Sequence, residues 1–540
     1  MKKIFLYFHT VKYLKTRQVL YRVWYKLKKP KFKFGKAAKL KNINPIWVKA
    51  AERSHSIISS NEFTFLGVSG SLKGNNWEVA GCDKLWNYNL HYFDDLNARH
   101  SSFRREWQKH LVNKWISDNL PGEGVGWEPY PTSLRIVNWL KWRLSGVELT
   151  ENVVSSLAVQ SNFLMQRLEF HLLGNHLFAN AKALVFSGLL IEDEEAPKWF
   201  NKGAEIILNE LSEQVLKDGG HFELSPMYHS LAIEDILDLI NLLRSCGGNN
   251  CLELLTELEG QVIPMLNWLA ALSHPDNRIS FFNDAAFGIA PDNSEIFKYA
   301  NRLGYKLQFK EALVRDFPDS GYVRGVIGPA VLLADLADVG PTYLPGHAHA
   351  DTLSFELSIF KERVIVNSGT SLYGDGEERI RQRGTSAHST LVINGQNSSE
   401  VWSGFRVARR AKIVEKKIVI DNSSLFITGV HDGYERLQKK MFHKRTWSLN
   451  KHALRIEDSV SERCEAYSIF HVHPEITIFQ EDERSGYFLL NSDKVVRWAS
   501  NTIVILQHGT WHPRFGVRIP NQHLKLNLMS KNVFLELRWD

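Results

Sequence analysis

Four short segments of this sequence gather side chains of the kinds that move protons and neutralise carboxylates. Asn175 and His176 stand together in HLLGNHLFAN, and Tyr228 and His229 in GGHFELSPMYHS. Glu128 and Arg135 fall in WEPYPTSLRIVNW, and His347 and His349 in PGHAHADTLSFEL. Imidazole and phenol groups serve as general acids and bases, and amide, imidazolium and guanidinium donors stabilise an oxyanion as it forms. In an extended segment the two imidazoles of His347-Ala-His349 face the same side, as metal ligation requires. His388, in RGTSAHSTLVING, can supply a third nitrogen, and Asn367, in VIVNSGTSLYG, a carbonyl oxygen. Taken singly, each has a plain structural reading: Asn175 as a helix cap, Tyr228 as a core aromatic, His221 and His229 as satisfied core histidines, Glu128 with Arg135 as a local ion pair. Their joint occurrence points to a site.

The elements that must position these residues change character once along the chain. From about residue 95 to 315 the pattern is helical. Val153, Leu157, Leu164, Leu168 and Leu172 fall near helical spacing, Gly174 follows as a stop, and Asn175 is placed to cap the next helix with His176 in its first turn. Ser225 caps a second helix, with Pro226 at its first position and Tyr228 just inside. Thr132 or Ser133 caps a third, with Arg135 in its first turn. Short connections make successive helices antiparallel, so an α/α solenoid or toroid is expected. Alternate helix starts then gather at one end, where free amides and partial positive charge suit a carboxylate. From about residue 320 the period becomes two: Leu353, Phe355, Leu357 and Ile359 alternate with polar partners, as in a half-buried strand. RVIVNSG, STLVINGQ, LFITGV, YFLLNS and TIVILQHG continue as short apolar runs with no helices between them, hence antiparallel sheets packed as a sandwich. The expected fold class is multidomain α+β, an N-terminal α/α toroid followed by an antiparallel β-sandwich. Residues 1–80 form a basic, aromatic arm and the start of the toroid, 81–318 the toroid, and 319–540 the sandwich.

Composition bounds the function. A chain of 540 residues exceeds what one core supports. Sixteen Trp, sixteen Tyr and thirty Phe supply large cores and also flat apolar faces that can cover sugar rings. Trp127 and Trp402 are candidates for such stacking. The net charge of +7 is modest for this length and does not require nucleic acid as a partner; it suits an anionic polymer in a cleft. Cys82, Cys246, Cys251 and Cys464 show no metal spacing and are too sparse for a disulfide framework, so free thiols are expected. No run approaches the length of a membrane span. At the N-terminus the apolar stretch Ile4–Phe8 is too short for a signal sequence and lacks a small-residue cleavage site. A cytoplasmic or envelope-associated location is therefore expected, with the periplasm as the alternative. The first thirty or so residues read as an amphipathic arm packed on the protein, or as one lying on a membrane surface. Oligomeric state is left open.

NYNLHYFDDL, GNHLFANAKAL, GGHFELSPMYH, HAHADTLSFEL and TSAHSTLVINGQNSSEVWSGFRVARRA, in this order, resemble heparinase II/III-like proteins over about residues 80–415. The resemblance implies a toroid followed by β-sandwich domains, and eliminative cleavage of acidic polysaccharides. It implies that Asn175 and His176 neutralise a uronate carboxylate and assist catalysis, that Tyr228 is the catalytic tyrosine, and that His347 is the active-site histidine of the β region. Glu128, Arg135, His229, Trp127, Trp402 and Arg406 are then candidates for substrate contacts. It also places His349 and His388 in a structural metal site whose usual occupant is zinc. The family's zinc site has an aspartate where Asn367 stands here, which weakens the case for metal; no organic cofactor is implied.

The implied reaction removes the weakly acidic C5 proton of a uronate and expels the O4 group. Tyr228 can act as base, acid or both; for the opposite-face epimer His176 or His347 takes the proton and Tyr228 donates. A base role for tyrosine needs nearby positive charge, from Arg135 or a histidine. The mechanism requires a cleft between toroid and sandwich, with Asn175, His176, Tyr228 and His347 on its walls and Arg135 near its floor. Three other readings compete. A glycoside hydrolase needs two carboxylates across the scissile bond, for which Glu128, Glu223 and Asp284 are available. A non-catalytic glycan-binding or assembly protein on the same scaffold is the second. An amidohydrolase barrel also uses His-x-His, but needs alternating strands and helices downstream.

Overall fold

The computed structural model describes residues 2–32, 38–42, 46–437 and 440–540. Two helices, α1 (Lys2–Val11) and α2 (Thr16–Leu27), form the N-terminal arm. After a small hairpin (Glu62–Phe65 with Val68–Ser71), nine α-helices run to residue 302 among the described residues. They are α3 (Lys84–Tyr92), α4 (Arg105–Asp118), α5 (Pro129–Leu144), α6 (Glu151–Gln166), α7 (Gly174–Leu190), α8 (Ala196–Gln214), α9 (Pro226–Cys246), α10 (Leu252–Ala271) and α11 (Asn293–Arg302). Short connections fold neighbours back on one another, α7 on α8 and α9 on α10. Alanine, glycine and serine on α7 admit close neighbours: a Cβ on Gly188 would meet the Phe200 backbone of α8 at 2.6 Å. The whole of α7 beyond its first turn is buried; its sequence there is mostly apolar, and Asn180, Lys182 and Ser187 are paired inside the protein.

One register differs from the sequence expectation. α6 ends at Gln166, so Leu168 and Leu172 lie in the connection, and α7 begins at Gly174 with Leu173 as the residue before it. Gly174 opens a helix and closes none. Its φ of +57° is easy for glycine, and a Cβ there would meet Leu344 Cδ2 at 2.4 Å.

Strands of the two large sheets begin at Val314 and continue to Arg538. All ladders in these sheets are antiparallel. The first sheet runs, in spatial order, Val504–Trp511, Ile519–Asn527, Ala466–Val472, Glu362–Val366, Phe355–Ile359, Ala330–Asp335, Tyr322–Ile327 and Val314–Asp316, with Leu391–Ile393 also paired to Ala466–Val472. The second has eight strands, with Ile413–Asp421 and Thr477–Gln480 at its edges. Phe355, Leu357 and Phe470 of the first face Leu425, Ile427 and Trp447 of the second across a closed core. Among the described residues no helix connects parallel strands after His349, which removes the amidohydrolase barrel.

Phe355–Ile359 is buried along its whole length, where its alternation predicts a half-buried strand. The toroid covers its second face: His274 engages Ser358 Oγ and Glu356 Oε2, each at 2.7 Å. A separate apolar cluster, including Leu224, Trp268 and Phe282 with Tyr322 and Leu333, joins the two regions. Each such side chain contributes roughly 1.5–3 kcal/mol when fully buried. The arm bridges both regions. Gln18 Nε2 donates to Leu172 O at 3.3 Å and Tyr21 packs on Phe170, while Trp402 Nε1 donates to Thr10 Oγ1 at 3.1 Å.

Candidate active site

The start of α9 places Tyr228. Ser225 Oγ accepts from the Tyr228 amide at 3.2 Å and donates to the Asp284 carbonyl at 2.5 Å, with Pro226 at the first helical position. The phenol is thereby held where toroid and sandwich meet. Its ring stacks on His347 with centroids 3.9 Å apart, and its hydroxyl lies 2.9 Å from that of Tyr373. Two residues separated by more than a hundred positions therefore share one site. Burial, then the neighbouring Tyr373 and Asp284, hold the Tyr228 phenol well above its usual range, so it is protonated.

Asp284 organises the His347 side. It is fully buried and accepts from Arg379 on both oxygens, with Nη2 at 2.7 Å from Oδ2. It faces His347 Nδ1 at 2.9 Å and His349 Nε2 at 2.8 Å. Burial alone would raise its carboxyl, but the guanidinium and the histidine hydrogen bonds outweigh this and hold it well below the usual range. An ionised Asp284 accepts the Nδ1 proton of His347, which leaves Nε2 as the free lone pair. That nitrogen lies 3.8 Å from Glu223 Oε2. Glu223 is 1% exposed and neither of its oxygens has a well-formed hydrogen bond. Burial raises its carboxyl above the ordinary value, against the partial offset of His347, His176 and the approaching Asn175 amide.

His176, in the first turn of α7, faces Glu169 Oε1 at 3.1 Å and packs 4.4 Å from the Tyr130 ring. Burial lowers its affinity for a proton, but Glu169 more than compensates, so its pKa is raised. Asn180 fixes Glu169 in turn, donating to Oε2 at 3.0 Å. Asn175, Tyr130, Tyr228 and Tyr373 line one cavity of about 580 Å³, whose wall also carries Arg278 and Arg514. Asn175 is thus a wall residue within the first turn, since the cap position belongs to Leu173.

Several other candidates are elsewhere. Arg135 lies in the second turn of α5, whose cap position is Glu128, and is fully buried. Its guanidinium is spent on Gln160 Oε1, Gly126 O and Thr132 Oγ1 and stacks on Trp115, so it is neither floor nor partner of Tyr228. His229 points the other way round α9 from the cleft: Nε2 meets Met265 O at 2.9 Å and Nδ1 accepts from the His221 amide. Trp127 is core, among Phe32, Trp115 and Phe163. Glu128 pairs with Lys84 at 2.9 Å and with the Tyr88 hydroxyl, not with Arg135. Trp402 and Arg406 hold α1: Tyr7 packs 4.8 Å from Trp402, and the Arg406 guanidinium covers both rings. Tyr373, Arg379 and Glu169 belong to the site although sequence alone does not single them out. Tyr373 lies in the same VIVNSGTSLYG segment as Asn367; Arg379, on α12 (Glu377–Arg383), carries no sequence signal at all.

The side chains that could hold a metal also differ from expectation. His349 Nδ1 and His388 Nε2 face each other at 3.0 Å, and the Asp351 carboxylate completes a cluster whose ligand atoms all lie within 4.8 Å. Asn367 is not part of it, because its Oδ1 accepts from the Ser389 amide and its Nδ2 faces Ser354. The outer nitrogens are engaged, His349 Nε2 by Asp284 and His388 Nδ1 by Gly384 O at 2.9 Å, an arrangement that orients imidazoles toward a metal. Two histidines and one carboxylate fit zinc, which accepts three protein ligands and an open position.

Known proteins share this architecture. The family model for the heparinase II/III N-terminus matches residues 9–301, and that for the heparinase II/III-like C-terminal region matches 310–535. The chain belongs to the heparinase II/III family. A heparin-sulfate lyase of Bacteroides stercoris is 27% identical over 251 residues, 43% of this chain and 37% of that protein. One from Bacteroides thetaiotaomicron is 25% identical over 381 residues, 60% of this chain and 54% of that protein. The chain thus spans about a third to a half of the length of these lyases. FtsZ-localized protein C of Caulobacter vibrioides is 24% identical over 475 residues, covering 80% of this chain and 77% of that protein. Among solved structures, a heparinase III superposes with a TM-score of 0.66 at 19% identity, covering 87% of this chain and 80% of the other. That likeness shows the toroid-plus-sandwich fold.

Proposed function

We propose that this protein is a polysaccharide lyase that cleaves a uronic-acid-containing glycan by β-elimination. The observation that carries the reading is the stacked pair of Tyr228 from the toroid and His347 from the sandwich, beside a cavity walled by Asn175. Asn175 and His176 neutralise the uronate carboxylate as charge develops on it; a His176 whose pKa Glu169 raises suits that task. His347, with Asp284 on Nδ1, accepts the C5 proton at Nε2, and the protonated Tyr228 delivers a proton to the departing O4. Arg278 and Arg514 supply cations for an acidic chain in the cavity. Against the hydrolase reading, Asp284 is fully buried in ion pairs and Glu128 is paired with Lys84 and the Tyr88 hydroxyl, which leaves Glu223 as the one carboxyl of its three candidates without a well-formed hydrogen bond.

The experiment is a panel of uronate glycans, heparan sulfate first because two of the relatives are heparin-sulfate lyases, together with the producer's own capsule or exopolysaccharide. Ultraviolet absorbance of an unsaturated uronide is expected, and Tyr228→Phe should abolish it while leaving folding and glycan binding intact. Cleavage without an unsaturated product would restore the hydrolase. Binding without turnover on the whole panel would favour a non-catalytic assembly role, a reading given weight by the breadth of the match to FtsZ-localized protein C. We further propose that His349, Asp351 and His388 hold a structural zinc, which when bound would stiffen the strand starts behind His347. Elemental analysis of protein purified without added metal should return about one zinc per chain; a metal-free protein of unchanged melting temperature would sink this assignment.

A further inference from the structure

The net charge of +7 is concentrated at one end of the chain. Fifteen Lys and Arg and no Asp or Glu precede Glu52, which leaves 51 Lys and Arg against 59 Asp and Glu, a net of −8, for the rest. The arm that carries much of this charge is docked with an unusual face inward. On α2 the side that packs on the toroid is Gln18, Tyr21 and Tyr25. The opposite side presents Leu20, Trp24 and Leu27, which are 62%, 49% and 77% exposed. Positions 20, 24 and 27 recur at helical spacing and form one stripe. On α1, Ile4, Phe5 and Phe8 are likewise more than half exposed, while Thr10 turns to Trp402. A helix that only needed to pack on the protein would bury its aliphatic stripe and expose its polar side. Here the reverse holds on α2, and exposed apolar stripes of this kind mark an interaction site.

Lys3, Lys12, Lys26, Lys28 and Lys29 are exposed around these stripes. Aliphatic and aromatic side chains outward, bordered by lysines with no acidic residue among them, match a surface that is apolar within and anionic at its edge. We propose that the outward face of α1 and α2 docks this protein onto an anionic lipid bilayer, the six apolar side chains entering the headgroup boundary and the lysines meeting lipid phosphates. An acidic glycan would satisfy the lysines but leaves the aliphatic stripe without a partner, so lipid is the better fit. The docked face is tied to the cleft by a hairpin, Val401–Trp402 with Arg406–Val407, whose Phe405 lies 6.0 Å from His347. Bilayer docking therefore sets the cleft beside the membrane surface. No residue of the catalytic cleft takes part in the docking, so membrane binding and glycan turnover can each fail without the other.

The test is flotation of the full chain with vesicles of phosphatidylglycerol and phosphatidylcholine, against vesicles of phosphatidylcholine alone. Binding to the mixed vesicles at least tenfold above the neutral ones is expected. The combined variant Leu20→Gln, Trp24→Gln, Leu27→Gln should lose at least tenfold of that binding, as should Lys26→Gln, Lys28→Gln, Lys29→Gln, each with an unchanged far-ultraviolet melting curve. Absence of wild-type flotation with anionic vesicles overturns the proposal, whatever the variants do. So does flotation that the lysine variant loses and the apolar variant keeps, which would indicate a polyanion site. A wild-type dimer that the apolar variant dissociates, with no vesicle binding, would assign the stripe to a second copy.

Discussion

Glu223 is the residue whose protonation most constrains the cleft. A buried carboxylate with no well-formed hydrogen bond, 3.8 Å from His347, would repel an arriving uronate; a neutral carboxyl would donate to it. Its folded pKa is raised above that of the unfolded chain by burial. The neutral form thus contributes stability that is fully present below the unfolded value and is lost as pH rises through the folded one. Glu223→Gln keeps the shape and removes the titration. The variant should match wild type near about pH 4 and be the more stable protein at neutral pH. The expected gain is roughly 1.4 kcal/mol for each pH unit by which burial raises the carboxyl. Thermal denaturation at the two pH values measures this. A gain that is equal at both would show that the charge is not its source.

At the scale of elements, the start of α9 does more than begin a helix. Ser225 satisfies the Tyr228 amide and ties the helix to the Asp284 carbonyl, so one hydroxyl fixes both the phenol and the segment carrying the central carboxylate. Ser225→Ala should lower stability by about 1–2 kcal/mol, the loss typical of a cap, and should reduce turnover more than glycan binding because Tyr228 loses its register. Equal effects on both would assign Ser225 a purely structural part. This cap is legible in sequence, because Ser-Pro before an apolar run states its own geometry. The other two helix starts differ from the sequence expectation, α7 by two residues and α5 by four or five. Gly174 looks like a stop by its type, but what favours glycine there is a positive φ at the start of a helix. Arg135 and His229 have the right chemistry at nearly the right positions, yet they face into the helical layer, and periodicity in one sequence does not separate a cleft face from a packed face when both are buried. Tyr373, Arg379 and Asp351 come from a loop, a short helix and a strand approach whose meeting is decided by the sheet order.

For the molecule as a whole, the feature that matters is that the site is also the joint between two regions. Asp284 leaves the helical region and receives His347, His349 and Arg379 from the β region, while the Leu224, Trp268 and Phe282 cluster packs on Tyr322 and Leu333 alongside. A buried ion pair adds little net stability over a well-packed apolar pair, but breaking one half of it is expensive, about 3–5 kcal/mol, because the remaining charge stays desolvated. Arg379→Met does this at a fully buried position, keeping much of the side-chain volume and leaving the Asp284 carboxylate with only its histidine and threonine contacts. The loss falls on the joint, so the toroid and sandwich should no longer melt together. Calorimetry of wild type is expected to give one main transition, and of Arg379→Met a lower, broader or divided one. Turnover should fall with it, since His347 loses the fixed carboxylate that orients its ring. Rescue by Arg379→Lys should be partial at best, because an ammonium cannot span both carboxylate oxygens as the guanidinium does. If Arg379→Met melted at the wild-type temperature in a single sharp transition, the joint would have to be assigned to the apolar cluster alone.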